Sequence, residues 1–318
     1  MELDIVLFFV GIVILYFGAE YLVKGAANTA AHLGVTPAIV GLTVVAFGTS
    51  LPELTASLLA ALKDSPDIAL GNVVGSNIAN VGLVLAIGAL IFPMTVQRRT
   101  AVEELPVMLL FTGGVMGLAF GGELTRADGA LLATALIGYT AYLVWITSQG
   151  KKRSEADNAA EEVAELLEEG NSLAYELGLT AGGIVGVVAG AYLMVESAVT
   201  IARNLGVSEL VIGVTVVAVG TSLPELATTA IAAIRRHSDI AVGAVIGSNI
   251  FNIGMILGVT AMIHPLGIAY EVLTGEMLVM VGFSVALIPM AFNRRITRTS
   301  GALLLAAYAA FIAQTAMG

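Results

Sequence analysis

A chain of 318 residues that is 58% hydrophobic and only 12% charged, with a mean hydropathy of +0.94, carries about half the charge of an ordinary soluble domain. Its apolar runs reach about 20 residues without alternating, which excludes a β-barrel and predicts an all-α polytopic membrane protein. There is no cysteine, which excludes disulfides, thiolate catalysis and cysteine metal sites, and the net charge of −10 comes largely from one segment.

Ten spans are predicted, near 4–23, 36–62, 68–92, 101–121, 127–147, 174–196, 208–234, 239–263, 270–292 and 298–316. The first has an acidic start (Glu2, Asp4) and lacks a small-residue cleavage motif, so it reads as a retained helix and not a signal peptide. The second, third, seventh and eighth are rich in Gly, Ser, Thr and Asn, whereas the others are plainer Leu/Val/Ala/Gly helices.

Positive charge orients these spans. With both termini outside, the cytoplasmic connections hold Lys24, Arg98, Arg99, Lys151, Lys152, Arg153, Arg235, Arg236, Arg294, Arg295 and Arg298. The outer ones hold only Lys63, Arg126 and Arg203. Between the fifth and sixth spans, a segment at 148–173 follows its basic start with Glu155, Asp157, Glu161, Glu162, Glu165, Glu168 and Glu169. It is too short for a folded sensor domain and reads as a solvated cytoplasmic linker.

The chain repeats itself. GVTPAIVGLTVVAFGTSLPEL from Gly34 matches GVSELVIGVTVVAVGTSLPEL from Gly206, and VVGSNIANVG from Val73 matches VIGSNIFNIG from Val245, in one ungapped frame of 172 residues. Each half, 1–147 and 174–318, has five spans, an odd number. The second half therefore enters the membrane from the opposite side, which predicts two inverted five-helix repeats.

The repeated polar residues carry the chemistry. Ala46, Thr49, Ser50 and Glu53 fall at i, i+3, i+4 and i+7, on one helical face, and Ala218, Thr221, Ser222 and Glu225 repeat them. Ser76 and Asn80, like Ser248 and Asn252, are i, i+4 pairs. Pro52 and Pro224 have no N–H, so the carbonyls of Gly48 and Gly220 lose their helical partners and the helix kinks or opens. Freed carbonyls in lipid must be satisfied by a cation or a wet cavity. A membrane glutamate also needs a partner, yet the nearest basic groups, Lys63, Arg235, Arg236 and His237, sit at the helix ends. Two carboxylates among hydroxyls, amides and carbonyls form a cage suited to hard cations such as Ca²⁺ and Na⁺. Other polar and small residues have structural readings: Gly41, Gly71, Gly75, Gly243 and Gly247 in close packing, and Thr43, Thr215, Ser57 and Thr229 in hydrogen bonding.

GTSLPE with GNVVGSNIANVG, followed by GTSLPE with GAVIGSNIFNIG, resembles the paired α-repeats of the cation/calcium antiporter superfamily, above all its prokaryotic sodium/calcium exchanger branch. The resemblance covers nearly the whole chain. It implies that Glu53 and Glu225 are central carboxylates shared by Ca²⁺ and Na⁺. It further implies that Thr49 and Thr221 offer carbonyls to Ca²⁺, and Ala46 and Ala218 carbonyls to Na⁺. Ser50, Ser76, Ser222 and Ser248 would be hydroxyl ligands of flanking Na⁺ sites, and Asn80 and Asn252 would complete the middle site. The first and sixth helices are expected to slide past a fairly rigid core. Some relatives, including potassium-dependent ones, have Asp at the position of Asn252, so K⁺ co-transport is not expected. Ala244 stands where Asn72 has its repeat partner, and Asn72 receives no ligand role.

The expected function is Na⁺/Ca²⁺ antiport in a prokaryotic plasma membrane by a monomer in a lipid bilayer, with no enzymatic activity, no cofactor and no nucleic-acid partner. A calcium/proton antiporter is the alternative, although relatives of that kind usually carry a further acidic residue where this chain has Val74, Gly75 and Ser76. A cation channel would build its pore by oligomeric symmetry. An intramembrane hydrolase would need a positioned water and usually a histidine or a metal, and no HExxH motif occurs.

Overall fold

The computed structural model describes residues 2–62, 66–150, 172–205, 218–268 and 274–317. Most of the acidic linker, Lys63, Gly206, Thr215, the start of the seventh span and the start of the ninth lie outside these residues. Among the described residues, six helices are long and apolar enough to cross a membrane, and a bent pair makes a seventh.

In chain order these are α1 (Glu2–Leu33), the bent pair α2 (Pro37–Thr49) and α3 (Leu51–Leu62), α4 (Ile68–Ile91), α5 (Thr100–Ala119), α6 (Arg126–Gly150), α7 (Leu173–Asn204) and α10 (Ser238–Ile263). The short α8 (Ala218–Thr221) and α9 (Leu223–Ile234) precede α10, and α11 (Glu276–Phe292) and α12 (Arg298–Met317) close the chain. Element boundaries recur in the 172-residue frame: 51–62 returns as 223–234, and the π-turns Asn80–Leu85 in α4 and Asn252–Leu257 in α10 are equivalent.

The equivalent elements also exchange partners. Strand β1 (Met94–Thr95) pairs antiparallel with β4 (Arg295–Ile296), and β2 (Glu123–Leu124) pairs with β3 (Leu266–Gly267). Likewise α6 packs on α10, and α12 on α4. A Cβ at Gly129 would fall 2.8 Å from the backbone nitrogen of Met262, and one at Gly301 would fall 2.7 Å from the carbonyl of Ala86. Each half is thus closed by the last helix of the other, which makes the two halves one body.

The polar helices form the centre. In α10, 94% of the most apolar stretch is buried, against 22% in each of α1, α6 and α7, whose outer faces carry the apolar side chains that suit lipid. Small residues allow this crowding. A Cβ on Gly243 would meet the Ala38 carbonyl at 2.5 Å, and one on Gly41 would meet the Ile240 carbonyl at 2.8 Å. The packing role expected of Gly41, Gly243 and Gly247 is therefore seen, whereas an added Cβ at Gly71 or Gly75 meets no described atom within 4 Å.

Two boundaries differ from expectation. Helices α1 and α7 each run 32 residues, well beyond the expected 4–23 and 174–196. Lys24 consequently lies within α1 and Arg203 in the last turn of α7, not in connecting loops. For α1 the reason is packing. Gly11, Gly18 and Gly25 recur every seven residues along α1 and meet Gly190, Val187 and Thr180 of the antiparallel α7 at backbone distance. On α1 the seam reaches Gly25, past the expected end at 23, whereas its contacts on α7 stop at Met194 and give no account of that helix's extension to Asn204.

Candidate functional site

The chain breaks where the Thr-Ser-Leu-Pro motif predicts it. Ser50 has φ −83° and ψ 6° and separates α2 from α3 with a bend of 44°. Ser222 does the same between α8 and α9, with φ −89° and ψ 5°. Pro52 and Pro224 fall in the first turn of the helix that follows, where a missing N–H costs nothing. The single face expected for Ala46, Thr49, Ser50 and Glu53 is therefore split. Ala46 and Thr49 end one helix, Ser50 is the hinge, and Glu53 sits in the first turn of the next. This helps both ends, because a helix C-terminus favours a cation and an N-terminus favours a carboxylate.

Burial brings the polar residues to the centre. Thr49, Ser50, Glu53, Ser76, Asn80, Ser222, Glu225, Ser248 and Asn252 are all buried, with Glu53 at 1% and Glu225 at 3% exposure. Thr221 is half-buried, and Ala46 is fully buried. The Ala218 backbone belongs to α8, and its side chain lies outside the description. The two halves contribute jointly: α3, which carries Glu53, packs on the π-turn that begins at Asn252, and α9, which carries Glu225, packs on the π-turn that begins at Asn80. Ser50 Oγ donates to Glu225 Oε1 across the halves at 3.3 Å.

Among the described residues, neither glutamate has a counterion. Glu53 feels the charge of Glu225, and neither carboxylate has a basic group among its electrostatic partners. Oε2 of Glu53, Oε2 of Glu225, Oδ1 of Asn80 and Oδ1 of Asn252 are buried without a hydrogen-bond partner among the described residues, as are the hydroxyls of Ser222 and Ser248. Burying such acceptors unpaired is costly, and the cost is far greater for carboxylates. Four buried oxygen acceptors supplied by both halves, two of them carboxylate oxygens, are of the kind a hard cation requires.

The Ala46 carbonyl, an expected ligand, is otherwise engaged. Thr49 Oγ1 bonds back to the carbonyls of Val45 (3.1 Å) and Ala46 (3.4 Å), and the Ser50 N–H also donates to Ala46 at 3.1 Å. The Ala46 carbonyl thus serves the helix end in this structure. Thr43 bonds to the Ile39 carbonyl at 2.7 Å, as its structural reading expects.

Three residues beyond the expected set also matter. Asn72 Nδ2 donates to the Glu53 backbone carbonyl at 3.2 Å and to Ser57 Oγ at 2.9 Å, steadying the turn that presents Glu53. Asn77 and Asn249 bond to Asn252 and Asn80. The signal for these two was present, since Gly-Ser-Asn recurs at 75–77 and 247–249 in the same frame as the glutamates.

Comparison with known proteins agrees with this architecture. A family model described as sodium/calcium exchanger protein matches residues 3–145 and 175–316. The putative antiporter CaxA of Alkalimonas amylolytica is 39% identical over 306 residues, covering 94% of both chains. The sodium/calcium exchanger MaX1 of Methanosarcina acetivorans is 34% identical over 345 aligned positions, covering 98% of both. A solved structure of the sodium-calcium exchanger NCX_Mj superposes with a TM-score of 0.85 at 35% identity, covering 98% of each chain. With a family match over both halves and relatives aligned end to end, the chain belongs to the sodium/calcium exchanger family of membrane cation antiporters, in its prokaryotic branch.

Proposed function

We propose that the chain is a Na⁺/Ca²⁺ antiporter of a prokaryotic plasma membrane in which inward Na⁺ flow drives Ca²⁺ out. The observation that carries this reading is the pair Glu53 and Glu225, buried at 1% and 3% exposure and, among the described residues, with no basic partner and with no hydrogen bond to either Oε2. One Ca²⁺ balances their two charges. Exchange follows because Ca²⁺ and Na⁺ need the same oxygens, so neither is fully coordinated while the other is bound. The two bare carboxylates are costly to expose to lipid, and this opposes reorientation of the protein without a bound cation. Glu53, Glu225, Asn80 and Asn252 form the middle of the site. Thr49, Thr221, Ser50, Ser222, Ser76, Ser248, Ala46 and Ala218 surround it, and carbonyl release at Ala46 is part of the cycle. The names of MaX1 and NCX_Mj support sodium as the coupling ion.

The topology in this reading is ten spans in two inverted halves, 1–147 and 174–318, with both termini outside. The linker at 148–173 is cytoplasmic, and the working unit is one chain. The exchange of partners between β1–β4 and β2–β3 supports a two-fold relation between the halves. Transport of ⁴⁵Ca²⁺ into Na⁺-loaded proteoliposomes tests the function. Uptake should require the outward Na⁺ gradient and disappear in Glu53→Ala and Glu225→Ala. Uptake that ignores Na⁺ and follows a pH gradient refutes sodium coupling, and uptake that survives both substitutions refutes the site.

A further inference from the structure

We infer that Asn77 and Asn249 are positioning residues. Each clamps the amide of the opposite half's asparagine so that a carbonyl oxygen, and not an NH₂ group, faces the cation. This rests on the proposed reading of Asn80 and Asn252 as cation ligands. Asn252 Nδ2 donates to Asn77 Oδ1 at 3.0 Å, and Asn80 Nδ2 donates to Asn249 Oδ1 at 3.0 Å. All four asparagines are at most 2% exposed.

The direction of these bonds is decided by how Asn77 and Asn249 are themselves held. Asn77 Nδ2 donates to the Asn249 backbone carbonyl at 3.4 Å and to Met280 Sδ at 3.6 Å. Asn249 Nδ2 donates to the Asn77 backbone carbonyl at 3.5 Å and to Met108 Sδ at 3.7 Å. An amide nitrogen has two hydrogens, and both are now assigned in each residue. Flipping either amide would turn its oxygen onto a carbonyl and a thioether, two acceptors facing a third in a buried site. Asn77 can therefore offer Asn252 only an acceptor, and Asn252 must answer with its NH₂. The same holds for Asn249 and Asn80. Among the described residues, what remains without a partner in this network is Oδ1 of Asn80 and Oδ1 of Asn252.

The clamp crosses the halves, so each half orients the ligand supplied by the other. It also discriminates by chemistry. An ionised carboxylate at position 80 or 252 would set oxygen against the clamping Oδ1, and only its protonated form could donate there as the amide does. Met108 and Met280, on α5 and α11, become part of the ion site's support through Asn249 and Asn77.

The test uses the full-length chain in proteoliposomes, reading KM for Ca²⁺, kcat and melting temperature. Asn77→Leu should raise KM for Ca²⁺ about tenfold, the loss expected when one orienting hydrogen bond disappears. A double-mutant cycle gives the specific signature. In an Asn252→Ala background, Asn77→Leu should add less than about twofold, whereas in an Asn80→Ala background it should keep its full effect. Equal effects in both backgrounds, or a lowered melting temperature with KM unchanged, overturn the clamp. Should Asn77→Leu not fold, Met280→Leu removes one acceptor that holds Asn77 and leaves every asparagine in place. It should raise KM about threefold, and an unchanged KM overturns the clamp. If Asn80→Ala and Asn252→Ala themselves leave KM unchanged, the ligand reading fails. If they raise it without the crossed coupling, the clamp alone fails.

Discussion

Replacing Glu53 by glutamine keeps the shape of the site and removes one of its two charges. At an effective dielectric of about 20, unit charges 4 Å apart interact by about 4 kcal/mol. A divalent ion doubles this to about 8 kcal/mol, while Na⁺ stays near 4 kcal/mol. Taking half of each figure as offset by easier desolvation of the amide leaves losses of about 4 kcal/mol for Ca²⁺ and about 2 kcal/mol for Na⁺. Those correspond to about a thousandfold and about thirtyfold in affinity. The ion-free protein should become more stable, because Glu53 is 1% exposed and has Glu225, not a base, as its electrostatic partner. Calorimetric titration with each ion, together with melting in chelator, reads both effects for Glu53→Gln. A Ca²⁺ affinity within tenfold of the parent, equal losses for both ions, or a lower ion-free melting temperature would refute the reasoning.

Ser50→Ala removes the 3.3 Å bond to Glu225 and should raise KM for Ca²⁺ roughly tenfold, as loss of a hydrogen bond to a charged group does, measured by ⁴⁵Ca²⁺ uptake. Gly183→Ala would drive a methyl into the backbone of Leu22, so α1 and α7 must part, and both melting temperature and transport should fall sharply. Glu20 pairs with Arg235 at the end of α9, an exposed contact between α1 and the central helices. Glu20→Gln should leave the melting temperature and KM for Ca²⁺ nearly unchanged, and its effect belongs in kcat if α1 slides during transport. His237 is held below its usual pKa by burial and then by Arg235. Its folded form therefore resists protonation, and the stability it contributes is present above its unfolded pKa of about 6.5 and lost as the pH falls through the lower folded value. Melting curves of His237→Gln should show a shallower loss of stability below pH 6.5 than the parent.

Much of the site was legible in the chain because its signals are local. Membrane class follows from composition, and helix interruption follows from Pro52 and Pro224, whose missing N–H is a property of the residue. The importance of Glu53 and Glu225 follows from their charge in an apolar run and from their recurrence 172 residues apart. The full length of α1 was not legible, since beyond the apolar run Gly25 packs at backbone distance on Thr180 of α7, a contact that hydropathy does not report. Nor was the engagement of the Ala46 carbonyl, which depends on how the break at Ser50 is capped.

The sequence by itself determined which residue types stand at the breaks of the polar helices, and in which frame they repeat. Only the tertiary structure decided who meets whom. Ser50 bonds to Glu225 and not to its own neighbour Glu53, and Asn77 holds Asn252 and not Asn80. Local periodicity specifies the face of one helix. The pairing of residues about 170 positions apart is set by two folded halves closing on each other, and their shared centre belongs to neither half alone.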